Sequence, residues 1–448
     1  MLKLPQNAKK IIETLNTAGY ECYAVGGCVR DMLCGEQPHD WDFTTNARPE
    51  ETLKVFADYK TYSIGRQHGT IGVQLNKTIY EITTYRIDGE YDDNRHPTQV
   101  EFTTDLQTDL ARRDFTVNAM ACDGKAVMDF FDGKTDLEYK VIRAVGDPKL
   151  RFEEDALRIL RALRFASTKG FTIEPTTERA IFACAGLLNN LAVERVADEL
   201  IKILCGNNAE QVLRRYKSIF AVIIPELAAM FDYDQHTPHH NRNLWSHTVA
   251  ALKNIENSPL LRVVMLLHDI GKPIVCTTDS DGICHFYGHQ KVSAQMAQVI
   301  LTRLKFPNKF VANAVTLIEL HDIRFNGNAR SIKKVLQTIS PEQFRELLQV
   351  QKADMLAQSE CFRAEKLNAL KATKDEFLRI ESENQCVRLK DLAINGGDLL
   401  AMGITDGRTI GKILDTILDE VVADTLQNEK GVLTKRAAEI KNGFELND

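Results

Sequence analysis

The chain has 448 residues, 44% hydrophobic and 26% charged, proportions that exclude global disorder and suit roughly three domains. Fifty-six Lys and Arg against 62 Asp and Glu leave a formal charge of −6, which excludes a uniformly basic surface but not a local basic stripe. No run approaches the ~18 apolar residues that span a bilayer. The start MLKLPQN also lacks an apolar signal region, so a cytoplasmic protein is expected, without a membrane partner.

Residues 1–147 mix strand-like alternation with glycine-marked turns, and Asp147-Pro148 marks a candidate boundary. Glu21–Val25 reads as a strand running into Gly26-Gly27 and a short helix through Arg30. Two glycines at a strand-to-helix turn let backbone N–H groups approach a phosphate with no Cβ in the way. In HDWDFTT (39–45), strand periodicity would set Asp40 and Asp42 on one face, opposite Trp41 and Phe43. Paired carboxylates repel unless a cation lies between them, and a hard Mg²⁺ ion with a triphosphate supplying further oxygens answers that need. A second strand over Thr78–Arg86 carries Glu81, a candidate third carboxylate.

From about Glu153 onward the pattern is helical. The ten cysteines form no C-x-x-C pair, and several, such as Cys184 and Cys205, sit in apolar runs, as reduced core thiols do. Eight of the eleven histidines fall between 236 and 321. Leu260–Leu267 is an apolar helical run ending in His268-Asp269, followed by the helix-stop signals Gly271 and Pro273. With His247 upstream and His289, His321 and Asp354 downstream, the order H…HD…H…H…D resembles the HD-domain metal-dependent phosphohydrolases. Imidazole and carboxylate together suit a divalent transition metal such as Ni²⁺, Co²⁺ or Mn²⁺. The extra histidines His236, His239 and His240 read as surface residues, and a last helical section follows Asn395-Gly396-Gly397.

The run GGCVRDMLCGEQPHDWDFTTNARPEE resembles the opening motif of the class II tRNA nucleotidyltransferases, the CCA-adding enzymes of the polymerase-β superfamily. The likeness continues through GRQHGTIGV, YEITTYRIDGEYDDNRHP, DLARRDFTVNAMA, RFEEDALRILRALRFA and LAVERVADELIKIL, and resumes in LAINGGDLLAMGI. It implies an α+β fold: a nucleotidyltransferase head with a mixed sheet (1–147), an all-α neck (148–215), an HD-type body (216–375) and a tRNA-binding helical tail (376–448). It also implies CCA addition to tRNA from CTP and ATP by two-metal phosphoryl transfer, with Asp40 and Asp42 holding Mg²⁺.

By the same resemblance, Gly26, Gly27 and Arg30 hold triphosphate, and Arg112 and Arg113 contact phosphate and sugar, with Asp114 and Asn118 nearby. Glu154-Asp155-Ala-Leu-Arg158 matches the amino-acid template of the family, and Arg161 and Arg164 extend the basic stripe. On a helix, Asp155 and Arg158 at i and i+3 share a face. Cytosine and adenine each set an amino donor beside a ring acceptor, which satisfies an Asp/Arg pair; uracil and guanine reverse that polarity. The segment RIDGEYDDNRHP (86–97) resembles the loop that CC-adding members lack, which favours A addition too. An A-adding or CC-adding enzyme, a bacterial poly(A) polymerase and a non-catalytic RNA-binding relic are the competing readings.

Overall fold

The computed structural model describes residues 4–63, 65–88, 100–237 and 242–445. Most of the RIDGEYDDNRHP segment, and His239 and His240, lie outside the described residues. The fold is α+β, in two compact units: residues 1–228 with 303–305, and residues 229–302 with 306–448.

In the first unit, helix α1 (Gln6–Thr17) buries Ala8, Ile11, Ile12 and Leu15, a single face set by three- and four-residue spacing. It packs on a seven-stranded sheet of β1 (Cys22–Val25), β2 (Asp42–Thr45), β3 (Lys60–Tyr62), β4 (Thr70–Leu75), β5 (Thr78–Thr84), β6 (Met120–Cys122) and β7 (Val127–Asp129). The spatial order is β3-β4-β5-β2-β1-β6-β7. The sheet is mixed: β2 runs parallel to β5 and antiparallel to β1. Register sets Val25 opposite Asp42 and Asp42 opposite Glu81, so one row across three strands joins the glycine turn to two carboxylates.

That register corrects the reading of residues 39–45. The strand begins at Asp42, not His39, because β1 ends at Val25 and the chain then turns at Gly26, which leaves nothing on β1 to pair with residues before 42. Asp40 sits on the lead-in, and strand periodicity does not relate it to Asp42.

The helices of this unit that bear on the site are α2 (Gly27–Leu33), α3 (Leu106–Ala111), α4 (Pro148–Glu154), α5 (Leu157–Lys169) and α6 (Val193–Leu204). A second correction concerns the template. Asp155 is extended (φ −138°, ψ 100°) and separates α4 from α5, so it does not share a helical face with Arg158. Its Oδ1 accepts from the Leu157 N–H at 3.0 Å, a short-range bond by which an aspartate competes with helix continuation.

The second unit is almost wholly helical. It contains α7 (Leu244–Asn254), α8 (Pro259–Leu267), α9 (His289–Arg303), α10 (Asn308–Leu320), α11 (Pro341–Ala357) and α12 (Arg363–Ser382). Further on, α13 (Gly407–Val422) and α14 (Lys430–Glu445) enclose their own apolar cluster around Ile413, Ile417 and Leu433. A small hairpin, β8 (Thr277–Thr278) with β9 (Cys284–His285), precedes α9. All ten cysteines are free thiols; six are buried, whereas Cys34 and Cys361 are exposed rather than core residues.

Candidate active site and candidate metal centre

In the first unit the chain leaves β1 at Gly26, whose φ of 76° and ψ of −131° lie where a side chain is strongly disfavoured. A Cβ there would meet Arg113 Nη1 at 3.0 Å. Gly26→Ala is therefore expected to destabilise the chain by about 1–3 kcal/mol and to lower nucleotide addition more than tenfold. Thermal unfolding and a primer-extension rate check this, and an unchanged melting temperature would contradict it.

Beside the turn, Asp42 and Glu81 face one another across β2 and β5. The Asp42 carboxyl is raised above its ordinary range by desolvation, with Arg113 opposing and Asp40 adding to the rise. Glu81 is raised as well, by desolvation and then by Asp42 and Asp40. The three carboxylates thus lie in one another's field. They do not close into a trio within 4.8 Å, since the tight ligand groups among the described residues lie elsewhere. An all-oxygen set in mutual repulsion fits hard divalent cations.

Arg112 and Arg113 follow α3 and both lean on Asp109, at 3.0 and 3.9 Å. Asp109 is fully buried, accepts from the Thr44 hydroxyl of β2 at 3.0 Å, and accepts from the Arg86 N–H at 3.3 Å. In the sequence, its three- and four-residue spacing to the arginines in DLARR is the signal that marks Asp109 as their partner.

A buried chain of bonds runs from the glycine turn to α5. Arg30 donates to Asn118 at 2.6 Å, Asn118 donates to Asp114 at 3.0 Å, and Arg161 donates twice to Asp114 at 2.8 and 2.6 Å. Burial alone would raise Asp114, but Arg161 and Asn118 outweigh it and hold the carboxyl well below its usual range. Arg158 spends three of its five N–H groups on Glu154 (2.7 Å), the Arg151 carbonyl (3.0 Å) and the Arg112 carbonyl (2.8 Å). Arg164 pairs with Glu199 at 2.8 Å, and Arg195 approaches Asp155 at 3.4 Å. Each arginine of the stripe thus lies against a carboxylate, with Asp109 shared by Arg112 and Arg113.

In the second unit the structure brings all six HD-type residues together. His247 comes from α7, His268 and Asp269 from the end of α8, His289 from the start of α9, His321 from the end of α10, and Asp354 from α11. All six are buried. They form two ligand groups that share Asp269: His247, His268, Asp269 and Asp354, and Asp269, His289 and His321. His247 Nε2 lies 2.9 Å from Asp354, while Asp269 lies 3.2 Å from His268 and 3.3 Å from His289.

Three of the histidines turn Nδ1 to the backbone carbonyl three residues earlier: His268 to Met265 (2.8 Å), His289 to Phe286 (2.8 Å) and His321 to Ile318 (2.6 Å). A carbonyl only accepts, so Nδ1 carries a proton and Nε2 is the nitrogen turned inward, with a lone pair to offer whenever the ring is neutral. His289 and His321 then point two lone pairs at each other across 3.3 Å, an arrangement that asks for a cation. His268 Nε2 is buried with no hydrogen-bond partner among the described residues. Burial opposes charge on His268, yet Asp269 and Asp354 push it up to about 10, so with no cation in the cluster a proton takes the inward Nε2 position of this ring.

Lys272 lies 2.6 Å from Asp269 and donates to Gln235 at 3.1 Å, supplying positive charge beside the cluster. Imidazole nitrogens and carboxylates in this number fit a divalent transition metal.

Three families match the chain in order. The poly A polymerase head domain matches residues 22–143, the "Probable RNA and SrmB- binding site of polymerase A" matches 170–231, and tRNA nucleotidyltransferase domain 2 matches 276–437. The CCA-adding enzyme of Streptococcus suis (strain 05ZYH33) is 34% identical over 431 residues, covering 95% of this chain and 94% of that one. That of Ligilactobacillus salivarius is 32% identical over 452 residues, covering 98% of both. Among solved structures, the Bacillus stearothermophilus CCA-adding enzyme in complex with CTP superposes with a TM-score of 0.69 at 28% identity, over 99% of each chain. The Thermotoga maritima CCA-adding enzyme complexed with tRNA shares the fold, with a TM-score of 0.62 at 22% identity over 98% of this chain and 97% of that one.

Proposed function

The chain belongs to the class II CCA-adding enzymes, template-independent nucleotidyltransferases that use divalent metal, CTP and ATP on tRNA, and we propose how its residues divide that work. The carrying observation is the row Val25–Asp42–Glu81, which sets the glycine turn beside two carboxylates, with Arg113 against the turn. Asp40, Asp42 and Glu81 hold two Mg²⁺ ions, which when bound ease deprotonation of the RNA 3′-hydroxyl and offset charge on the leaving group. The 3′-oxygen bonds to the α-phosphorus as the bond to the β-phosphate oxygen breaks, releasing pyrophosphate. Gly26 and Gly27 leave room for triphosphate against the backbone, and Arg30, Arg112 and Arg113 meet its charge. Asp114 and Asn118 brace Arg30 and Arg161. Asp155 and the uncommitted N–H groups of Arg158 read the amino and ring-nitrogen edge of cytosine or adenine; Arg164 supports the same helix.

By this reading the head spans residues 1–147, the neck 148–215, the body 216–375 and the tRNA-binding tail 376–448, in a cytoplasmic enzyme. It adds the full CCA. A tRNA ending at its discriminator base is expected to gain two residues with CTP alone and three with CTP and ATP, sized on a gel. A ladder that stops at two with both nucleotides, or no growth with CTP, sinks this reading.

For the body we propose a divalent transition metal, Ni²⁺, Co²⁺ or Mn²⁺, held by His247, His268, Asp269, His289, His321 and Asp354. Its chemistry when bound is activation of water against a phosphoester. The buried ligand set with inward-facing Nε2 atoms supports this. Such an activity would clear phosphate from damaged RNA 3′ ends before nucleotide addition. Absence of phosphomonoester and 2′,3′-cyclic phosphodiester hydrolysis after adding back each metal to stripped protein would refute the hydrolase assignment.

A further inference from the structure

Beside the His/Asp cluster lies a cavity of about 310 Å³, at the small end of the size range for ligand pockets. Asp269, His289, His321 and Asp354 reach it from the cluster, and three cationic side chains, Lys272, Arg324 and Lys366, line it as well. Lys366 donates to the side-chain oxygen of Gln358, an uncharged partner, and Gln358 in turn donates to Asp354 at 2.9 Å. Its ammonium charge is thus not cancelled by that bond. Arg324 is paired with Asp322 at 2.6 Å. Lys272 is likewise paired with Asp269 at 2.6 Å, so Lys366 is the lining cation whose hydrogen-bond partner is uncharged, and it can meet a phosphate oxygen there.

The same lining includes Tyr287, which is 81% exposed. Its exposure is not that of a loose side chain. The ring stacks on His285 with centroids 5.5 Å apart and planes 3° apart. His285 is itself held by Asp279, Nε2 to Oδ2 at 2.8 Å. His285 ends β9 and Tyr287 follows two residues later, while the intervening Phe286 meets Lys272, whose Nζ lies 5.5 Å from the ring centroid. Asp279, His285 and Tyr287 thus build an oriented aromatic plate, its ring parallel to and offset from the imidazole and most of its surface open to a ligand.

We propose that Tyr287 is a base-stacking platform, by which the cavity selects phosphoesters carried on a planar base over those carried on an aliphatic alcohol. This rests on the reading of the cluster as a hydrolytic metal site, and it adds the residue that sets substrate preference there. Lys366 and Arg324 receive the phosphate while the base lies on the tyrosine. Water adds to phosphorus as the ester P–O bond breaks, leaving inorganic phosphate and the nucleoside hydroxyl. Stacking is tolerant of base identity, because every base offers a π face. The platform therefore confers a class preference and not a sequence preference.

The test uses the full chain with Mn²⁺ and two probes, 3′-AMP and glycerol 2-phosphate. Tyr287→Ala is expected to lower kcat/KM for 3′-AMP about tenfold or more through KM, to leave glycerol 2-phosphate within about twofold, and to be rescued in Tyr287→Phe. Equal losses for both probes, or no loss for 3′-AMP, overturn the platform. If neither ester is hydrolysed, the hydrolase reading has failed and binding decides the platform separately. With the head saturated by CTP, 3′-AMP titrated calorimetrically should bind Tyr287→Ala about tenfold more weakly than the parent, and equal affinity overturns the proposal.

Discussion

Replacing Asp42 with Ala is expected to slow nucleotide incorporation by at least about 10³-fold while changing tRNA affinity by no more than about twofold. Asp42 heads β2, pairs in register with Glu81 and Val25, and is the carboxylate on which the fields of Arg113, Asp40 and Glu81 converge. On the proposed assignment, removing it takes away a carboxylate that would hold the cation whose positive charge offsets several kcal/mol of transition-state repulsion, each 1.4 kcal/mol of which is about tenfold in rate. The side chain is accessible at the strand end and carries no part of the apolar core, so the fold should persist. Single-turnover extension with labelled CTP and a separate tRNA-binding titration measure the two quantities. Retained incorporation would show that the metal assignment is wrong, and a parallel collapse of tRNA binding would show that Asp42 has a structural role instead.

A second large effect is expected in the body. Metal-stripped protein given Mn²⁺, Co²⁺ or Ni²⁺ at about a hundred times Kd should gain about 2.7 kcal/mol, seen as a melting transition some 5–10 °C higher for a unit of roughly 200 residues. Asp269→Ala should abolish that gain together with bound metal counted by mass spectrometry, because Asp269 belongs to both ligand groups. Asp322→Ala, which removes an exposed partner of Arg324 outside the ligand set, serves as the control and should leave metal content unchanged. If none of the three metals moves the transition of the parent protein, the cluster is a packed polar core and not a metal centre.

Both sites were legible in the sequence as residue types, and less so as geometry. The six HD-type residues were found because His and Asp are uncommon in apolar helical runs, so their order stood out against the background. The meeting of Asp42 with Glu81 could not be read, because it depends on a parallel pairing between strands 39 residues apart in register. The template pair was misjudged for a local reason. EDALR has good helical spacing, but the Asp155 side chain bonds to the Leu157 N–H and the helix breaks there. Asp109, Lys272 and Tyr287 have partners two to four residues away, but those pairings form only in the folded turns and helix ends that bring the side chains together. The arginines mark a local basic stripe; Asp109 and Glu154 stand at helical spacing from them in the sequence, whereas the pairing of Arg161 with Asp114 and of Arg164 with Glu199 depends on the folded chain.

The three Nδ1 contacts of His268, His289 and His321 end on main-chain carbonyls, and that choice of partner has a consequence for inheritance. Metal-bound histidines are often oriented by a carboxylate side chain, which one mutation can erase. Here the orienting groups belong to the peptide backbone, which every residue type supplies. Residues 265, 286 and 318 can therefore change without removing the group that orients each imidazole, within the limits that burial of Met265 and Ile318 and the contact of Phe286 with Lys272 set on their size and shape. Related chains could keep the same inward-facing imidazoles with other apolar residues of like size at these positions, because what orients each ring is the backbone and not the side chain.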